Sequence, residues 1–390
     1  NGAVECSANF FGDVTLDELS CGDLVCSSST AGTGTIITAS STISGTIDVY
    51  GGHFEFGDDA ELSGPDLNFG GANSFTNGGL LEITGTGAVL VNTGSHDMGD
   101  VKVAAGGICT FSGWGVANSE TLDIEPGVQV DFNGTVDFSN ATFSLTNDGT
   151  FLFGGGGIRQ IKSGNENLGN MTVLGGGSPT IIFLDGISIG QTGTWDVQAG
   201  ATVTFQGDSN FNGMAITNDG LFIFEVVAAY VDVLGGDQLN GNVQCHSNGS
   251  AGITFDEIYC SNLELHGTSP SFGTHILGPT PSIVSGGLTG SGGTHTFGGD
   301  ITFTGDYIAV ELDDFALNQN SLMTFSSGAY QTLVTGDGDH GNISVYTTLY
   351  VEGNFNQINT GDILIDAPST LSFNDDACGA QSSLSFPSLP

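Results

Sequence analysis

Asp123-Ile-Glu-Pro-Gly-Val-Gln-Val-Asp-Phe132 returns in altered form as Asp196-Val-Gln-Ala-Gly-Ala-Thr-Val-Thr-Phe205, and Thr146-Asn-Asp-Gly-Thr-Phe151 returns as Thr217-Asn-Asp-Gly-Leu-Phe222. A second marker, Gly-Asn or Gly-Asp followed by alternating apolar positions, recurs as Gly99-Asp-Val-Lys-Val103, Gly169-Asn-Met-Thr-Val173, Gly241-Asn-Val-Gln-Cys245 and Gly341-Asn-Ile-Ser-Val345. Both markers return at a period of roughly 72 residues, and inexact repeats of this kind are the signature of a solenoid. Only the last interval is longer, by about one coil. A unit of this length divides into three coils of about 24, so the chain holds about 16 coils. Within each coil, apolar and polar residues alternate over four to six positions, which is the period of a half-buried strand. Gly, Asn, Asp and Thr separate these runs as turns. The expected fold is therefore all-β, a parallel β-helix or β-solenoid.

Composition agrees. The chain has 390 residues with 64 Gly and 26 Phe. Good helix formers are scarce, while the strand and turn formers Val, Ile, Thr, Phe, Gly and Asn are abundant. Against 43 Asp and Glu stand 3 Lys and Arg, for a net charge of −40. That field repels phosphate backbones, which argues against nucleic acid as a partner. No membrane span is expected, because the longest apolar stretch, Leu221 to Leu234, contains Glu225 and Asp232 and is too short. The mean hydropathy of +0.11 and the aromatic content separate the chain from a disordered acidic tail.

Seven cysteines occur and none forms a CxxC pair. Cys6, Cys21 and Cys26 cluster near the start, and Cys245 lies close to Cys260; all five are disulfide candidates for an oxidising compartment. The expected organisation is a disulfide-stapled N-terminal cap over 1–30, a continuous solenoid over 31–378 and a tail over 379–390. In the tail, Leu384, Phe386 and Leu389 alternate well enough to act as an added strand between subunits. Asn1-Gly2-Ala3 carries no charged or apolar leader, which suits a secreted chain numbered from its mature start.

The stretch Phe151-Leu-Phe-Gly-Gly-Gly-Gly-Ile-Arg-Gln-Ile-Lys162, followed by Gly169-Asn-Met-Thr-Val173, resembles repeats of secreted, adhesin-like β-solenoid surface proteins of Bacteroidota. The resemblance spans most of residues 80 to 375. It implies export by the type IX secretion pathway and a structural or adhesive role, and it brings no catalytic residues. Proteins of that kind usually end in a sorting domain, and none follows Cys378 here.

Enzyme readings of the fold find little support. A lyase needs a base and a cation for a uronate, and the only basic residues are Lys102, Arg159 and Lys162. A hydrolase needs two carboxylates roughly 5–10 Å apart. The doublets Asp58-Asp59, Asp313-Asp314 and Asp375-Asp376 read instead as turns, because neighbours along a strand face opposite sides. No two of the seven His fall at ligand spacing along the chain. Ca²⁺ is the one cofactor with a motive: Gly336-Asp-Gly-Asp-His-Gly341 sets Asp337 and Asp339 in a Gly-rich turn, oxygen ligands of the kind Ca²⁺ takes.

These readings converge on a secreted, non-enzymatic protein, the structural subunit of an extracellular filament whose main partner is itself. The alternative is a monomeric cell-surface adhesin or stalk that binds glycans, and a polysaccharide-active enzyme comes third.

Overall fold

A computed structural model describes residues 2–8, 12–30, 32–94, 96–112, 120–140, 142–187, 191–227, 230–236, 239–269, 271–305, 307–310, 314–317, 322–326, 330–335, 342–353, 363–365 and 369–373. These residues form an all-β, parallel β-solenoid of about 14 turns with no α-helix. Two units are distinguished, Asn1–Ala201 and Thr202–Pro390.

In the first unit strands pair in parallel with strands one coil away, and Ser74–Asn77 and Ser144–Asn147 each end a sheet. Leu24 sits beside Ile47, Val89 beside Cys109, Phe151 beside Met171 and Met171 beside Trp195. The same holds in the second unit, where Val203 sits beside Phe222 and Leu263 beside Leu288. Many coils take only about 20 or 21 positions of the chain, fewer than the expected 24 or so.

That shorter coil changes the meaning of the repeat. The interval from Gly99 to Gly169 makes about three and a third coils, not three. The structure shows the extra third directly. Asp100–Val103 lies in the sheet formed with Leu80–Ile83 and Thr121–Ile124, whereas its repeat Asn170–Val173 lies in the sheet with Thr150–Phe153 and Gly193–Val197. Coils of the solenoid have three strand-bearing faces, so the motif has stepped round from one face to another.

Alternation within each strand produces the core. In Asp100–Val103, Val101 and Val103 are fully buried between half-exposed Asp100 and Lys102. Parallel register stacks inward residues into columns: the Phe111 ring stacks on that of its register partner Phe132 at 5.5 Å, and Phe132 meets its diagonal neighbour Phe151 at 5.6 Å. In the second unit, Phe205 stacks on its register partner Phe224 at 5.1 Å and Phe303 on Phe325 at 5.6 Å. Each fully buried Phe contributes about 1.5–3 kcal/mol from its removal from water.

The described residues of 4–28 pair as an ordinary coil does, with Val4–Ala8 against Leu24–Ser28, Val14–Leu16 against Gly34–Ile37 and Ser20–Cys21 against Ser41–Ile43. The expected staples do not appear there. Cys6, Cys21, Cys26, Cys245 and Cys260 all hold free, buried thiols. Their positions explain this use, because they occupy inward sites where neighbouring coils place Val, Ile or Leu. Cys21 sits beside Ile43, Cys26 beside Val49, Cys245 beside Leu265 and Cys260 beside Val284, while Cys6 stands beside Cys26. Here cysteine acts as a small hydrophobe.

Candidate functional site

The Thr-Asn-Asp-Gly motif performs a structural task. Asn147 donates from Nδ2 to the carbonyls of Leu168 (2.6 Å) and Asn170 (3.4 Å), one coil on. Asn77 does the same toward Met98 (3.0 Å) and Asp100 (3.4 Å), and Asn218 toward Asn242 (3.4 Å). The amide therefore closes over the Gly-Asn or Gly-Asp marker of the next coil. Gly99 and Gly169 both have φ of +64°, a left-handed conformation that glycine adopts without a Cβ penalty. A Cβ on Gly169 would lie 2.6 Å from the Asn147 carbonyl oxygen. The two sequence markers are thus two halves of one latch. Thr76-Asn77-Gly78-Gly79 is a third copy of the first half, hidden in the sequence because Gly replaces Asp.

All three basic side chains are held in ion pairs between coils. Lys102 bridges Glu82 (3.0 Å) and Glu125 (2.6 Å), and Lys162 pairs with Asp137 at 2.9 Å. Arg159 is buried; its Nε donates to the Phe132 carbonyl at 2.8 Å, Nη2 donates to that of Gly154 at 2.6 Å, and Asp131 lies at 3.7 Å. Burial pushes the Asp131 carboxyl up to about 6, against the opposing pull of Arg159. These three are the only Lys and Arg of the chain, so the second unit contains none.

Of the acidic doublets, Asp58-Asp59 is a turn: Asp58 accepts from the Asp59 amide (2.9 Å) and Asp59 from the Leu80 amide (2.8 Å). The Ca²⁺ candidates Asp337 and Asp339, the tail residues Leu384, Phe386 and Leu389, Asp313, and the doublet Asp375-Asp376 lie outside the described residues. Among the described residues, no group of three or more His, Cys, Asp and Glu side chains is placed to hold a metal ion. No helix among them is long and apolar enough to cross a membrane.

The first unit carries two polar clefts, one of them at the Asn147 latch. One, of about 380 Å³, is lined by Thr146, Asn147, Asp148, Asn167, Asn170 and Thr192; the other, of about 340 Å³, by Ser139, Asn140, Asn165, Glu166 and Asp185. Most of these groups already hold the coils together. Asn167 donates to Thr192 Oγ1 (2.6 Å), Asn170 Oδ1 accepts from the Thr194 amide (3.0 Å), and Glu166 accepts from the Leu145 amide (2.8 Å).

Histidines are where the structure departs furthest from the chain order. Asn242–Ser247 and Asn262–Gly267 are register partners, so His246 lies beside His266 on the outward face, their ring centroids 5.1 Å apart. Glu225 is the next residue of that column, and Glu264 binds His266 Nε2 at 2.7 Å. Gln244 donates to the other Glu264 oxygen at 2.7 Å, and Ser291 Oγ lies 2.8 Å from His266 Nδ1. Burial and the neighbouring His266 hold the His246 imidazole below its usual range. The sequence does carry a signal for this pair: Asn-Val-Gln-Cys-His246 and Asn-Leu-Glu-Leu-His266 are matching segments one coil apart. His295 is different. It is fully buried, its Nδ1 accepting from the Thr274 amide (3.2 Å) and its Nε2 donating to the Gly292 carbonyl (2.7 Å), and burial pushes it down to about 4.

The chain matches no family model, no curated protein and no solved structure.

Proposed function

We propose that this protein is a secreted structural subunit that polymerises into an extracellular filament by stacking coils head to tail. The observation that carries the reading is the parallel pairing of successive coils. In such a stack the leading edge of a coil is complementary to the trailing edge of an identical one. Contact between two copies by these edges is heterologous and does not close, which produces filaments. The segment 379–390, with Leu384, Phe386 and Leu389, is the proposed strand lent across that contact. Polar side chains of the first unit largely tie coil to coil, as the Asn147 latch and the Lys102 bridge do, and this favours a load-carrying role without catalysis. An acidic coat nearly free of Lys and Arg suits long exposure to trypsin-like proteases. The resemblance to type IX secretion substrates of Bacteroidota points to the same location.

Electron microscopy and light scattering of the purified chain test this. Filaments that disappear on deletion of Gln381 to Pro390 support it; a monodisperse 39.7 kDa particle at every concentration and salt overturns it. The two polar clefts favour one second reading, a monomeric surface adhesin that takes neutral glycans through Asn, Thr and Asp side chains.

A further inference from the structure

We propose that His246 and His266 form a surface chelate for a divalent late transition cation, with Cu²⁺ the tightest binder. The two imidazoles come from consecutive coils and stand side by side, ring centroids 5.1 Å apart. Metal–imidazole bonds are about 2.0–2.1 Å, so two nitrogens about 3 Å apart span one cation. The His246 ring, which makes no ring-nitrogen hydrogen bond among the described residues, is the one that turns about Cβ–Cγ toward His266. Cys245 and Leu265, the inward neighbours, anchor both backbones in the core.

The protonation states also suit a metal. Imidazole must be neutral to coordinate, which is the ordinary state of an imidazole at pH 7.5. Among the described residues His246 makes no ring-nitrogen hydrogen bond, so its lone pair is available. His266 is held by Glu264 on one nitrogen and Ser291 on the other, and metal binding exchanges one of these bonds for the cation. A carboxylate on the second nitrogen of a ligating histidine orients the ring and raises its basicity, which is the part Glu264 plays while Gln244 steadies it. Glu225, in register with His246, adds negative charge on the other side. No Lys or Arg exists in this unit to repel or replace a cation. Imidazole selects Cu²⁺, Ni²⁺ and Zn²⁺ over Ca²⁺ and Mg²⁺, and the order of affinity peaks at Cu²⁺.

Titration of the full chain with Cu²⁺ at pH 7.5, in excess Ca²⁺ to fill carboxylate-only sites, tests the proposal. The expected result is one tight Cu²⁺ whose electron paramagnetic resonance spectrum shows two equatorial nitrogens. His246→Gln and His266→Gln should each weaken binding at least tenfold and leave one nitrogen or none. His53→Gln and His275→Gln, away from the pair, should change neither affinity nor spectrum. Both ring positions of the pair face outward, so circular dichroism should report unchanged folding in the variants. If the double variant His246→Gln/His266→Gln binds Cu²⁺ as tightly as the natural chain, or if the two-nitrogen spectrum survives in either single variant, the proposal is wrong.

Discussion

Replacing Gly169 by alanine probes the latch that defines the repeat. Its φ of +64° costs an L-residue about 1–2 kcal/mol. The new Cβ would also lie 2.6 Å from the Asn147 carbonyl oxygen, inside any normal contact, and this oxygen belongs to backbone locked between two coils. Forcing a methyl into packed structure adds about 1–3 kcal/mol. The sum is a loss of about 2–5 kcal/mol. Gly176→Ala is the matched control, because nothing lies within 4 Å of a Cβ there and its φ is not left-handed; it should stay within about 0.5 kcal/mol. Trp195 reports the event locally, since its buried indole Nε1 donates to the Gly169 carbonyl at 3.2 Å. Guanidinium unfolding followed by Trp195 fluorescence, in a Trp114→Phe background, measures both variants. A Gly169→Ala loss below about 1 kcal/mol, or one no larger than that of Gly176→Ala, would refute the claim that the latch sets the coil geometry.

Three further outcomes follow from buried groups. His295 has its folded pKa near 4 against about 6.5 unfolded, so the unfolded chain binds the extra proton first and stability falls as pH drops from about 6.5 to 4. By linkage that penalty approaches about 3 kcal/mol at pH 4, and His295→Gln should flatten this part of the pH profile of denaturant midpoints. Asp131 has the opposite sign: with its folded pKa raised to about 6, the folded chain holds the proton more tightly, so its contribution falls as pH rises from about 4 to 6. Asp131→Asn should remove that slope, and Arg159→Met, which leaves Asp131 buried alone, should cost about 3 kcal/mol at pH 7 and be rescued by adding Asp131→Asn. Cys26, Cys109 and Cys260 are buried with pKa values pushed up to about 12; in native protein they should resist iodoacetamide for hours, and peptide mapping after guanidinium should find them fully alkylated. Rapid native alkylation would contradict their placement in the core.

The parallel all-β solenoid was legible in the sequence, because strand alternation is a local property and the repeats report stacking without any knowledge of where chain segments meet. The spacing of Asp123–Phe132 and Asp196–Phe205 by itself established a periodic coil, and the charge of −40 with three basic residues described its coat. Tertiary structure decided the rest, for one physical reason. Chain separation becomes spatial contact only once the coil length and the number of faces are known. A coil shorter than expected, wound on three faces, turned a supposed three-coil repeat into three and a third. That geometry set Asn147 over Gly169 and His246 beside His266, although neither pair is close along the chain. It also turned the cysteines inward, where burial makes Cys26 and Cys245 parts of the core, a role that counting and spacing cannot distinguish from a staple.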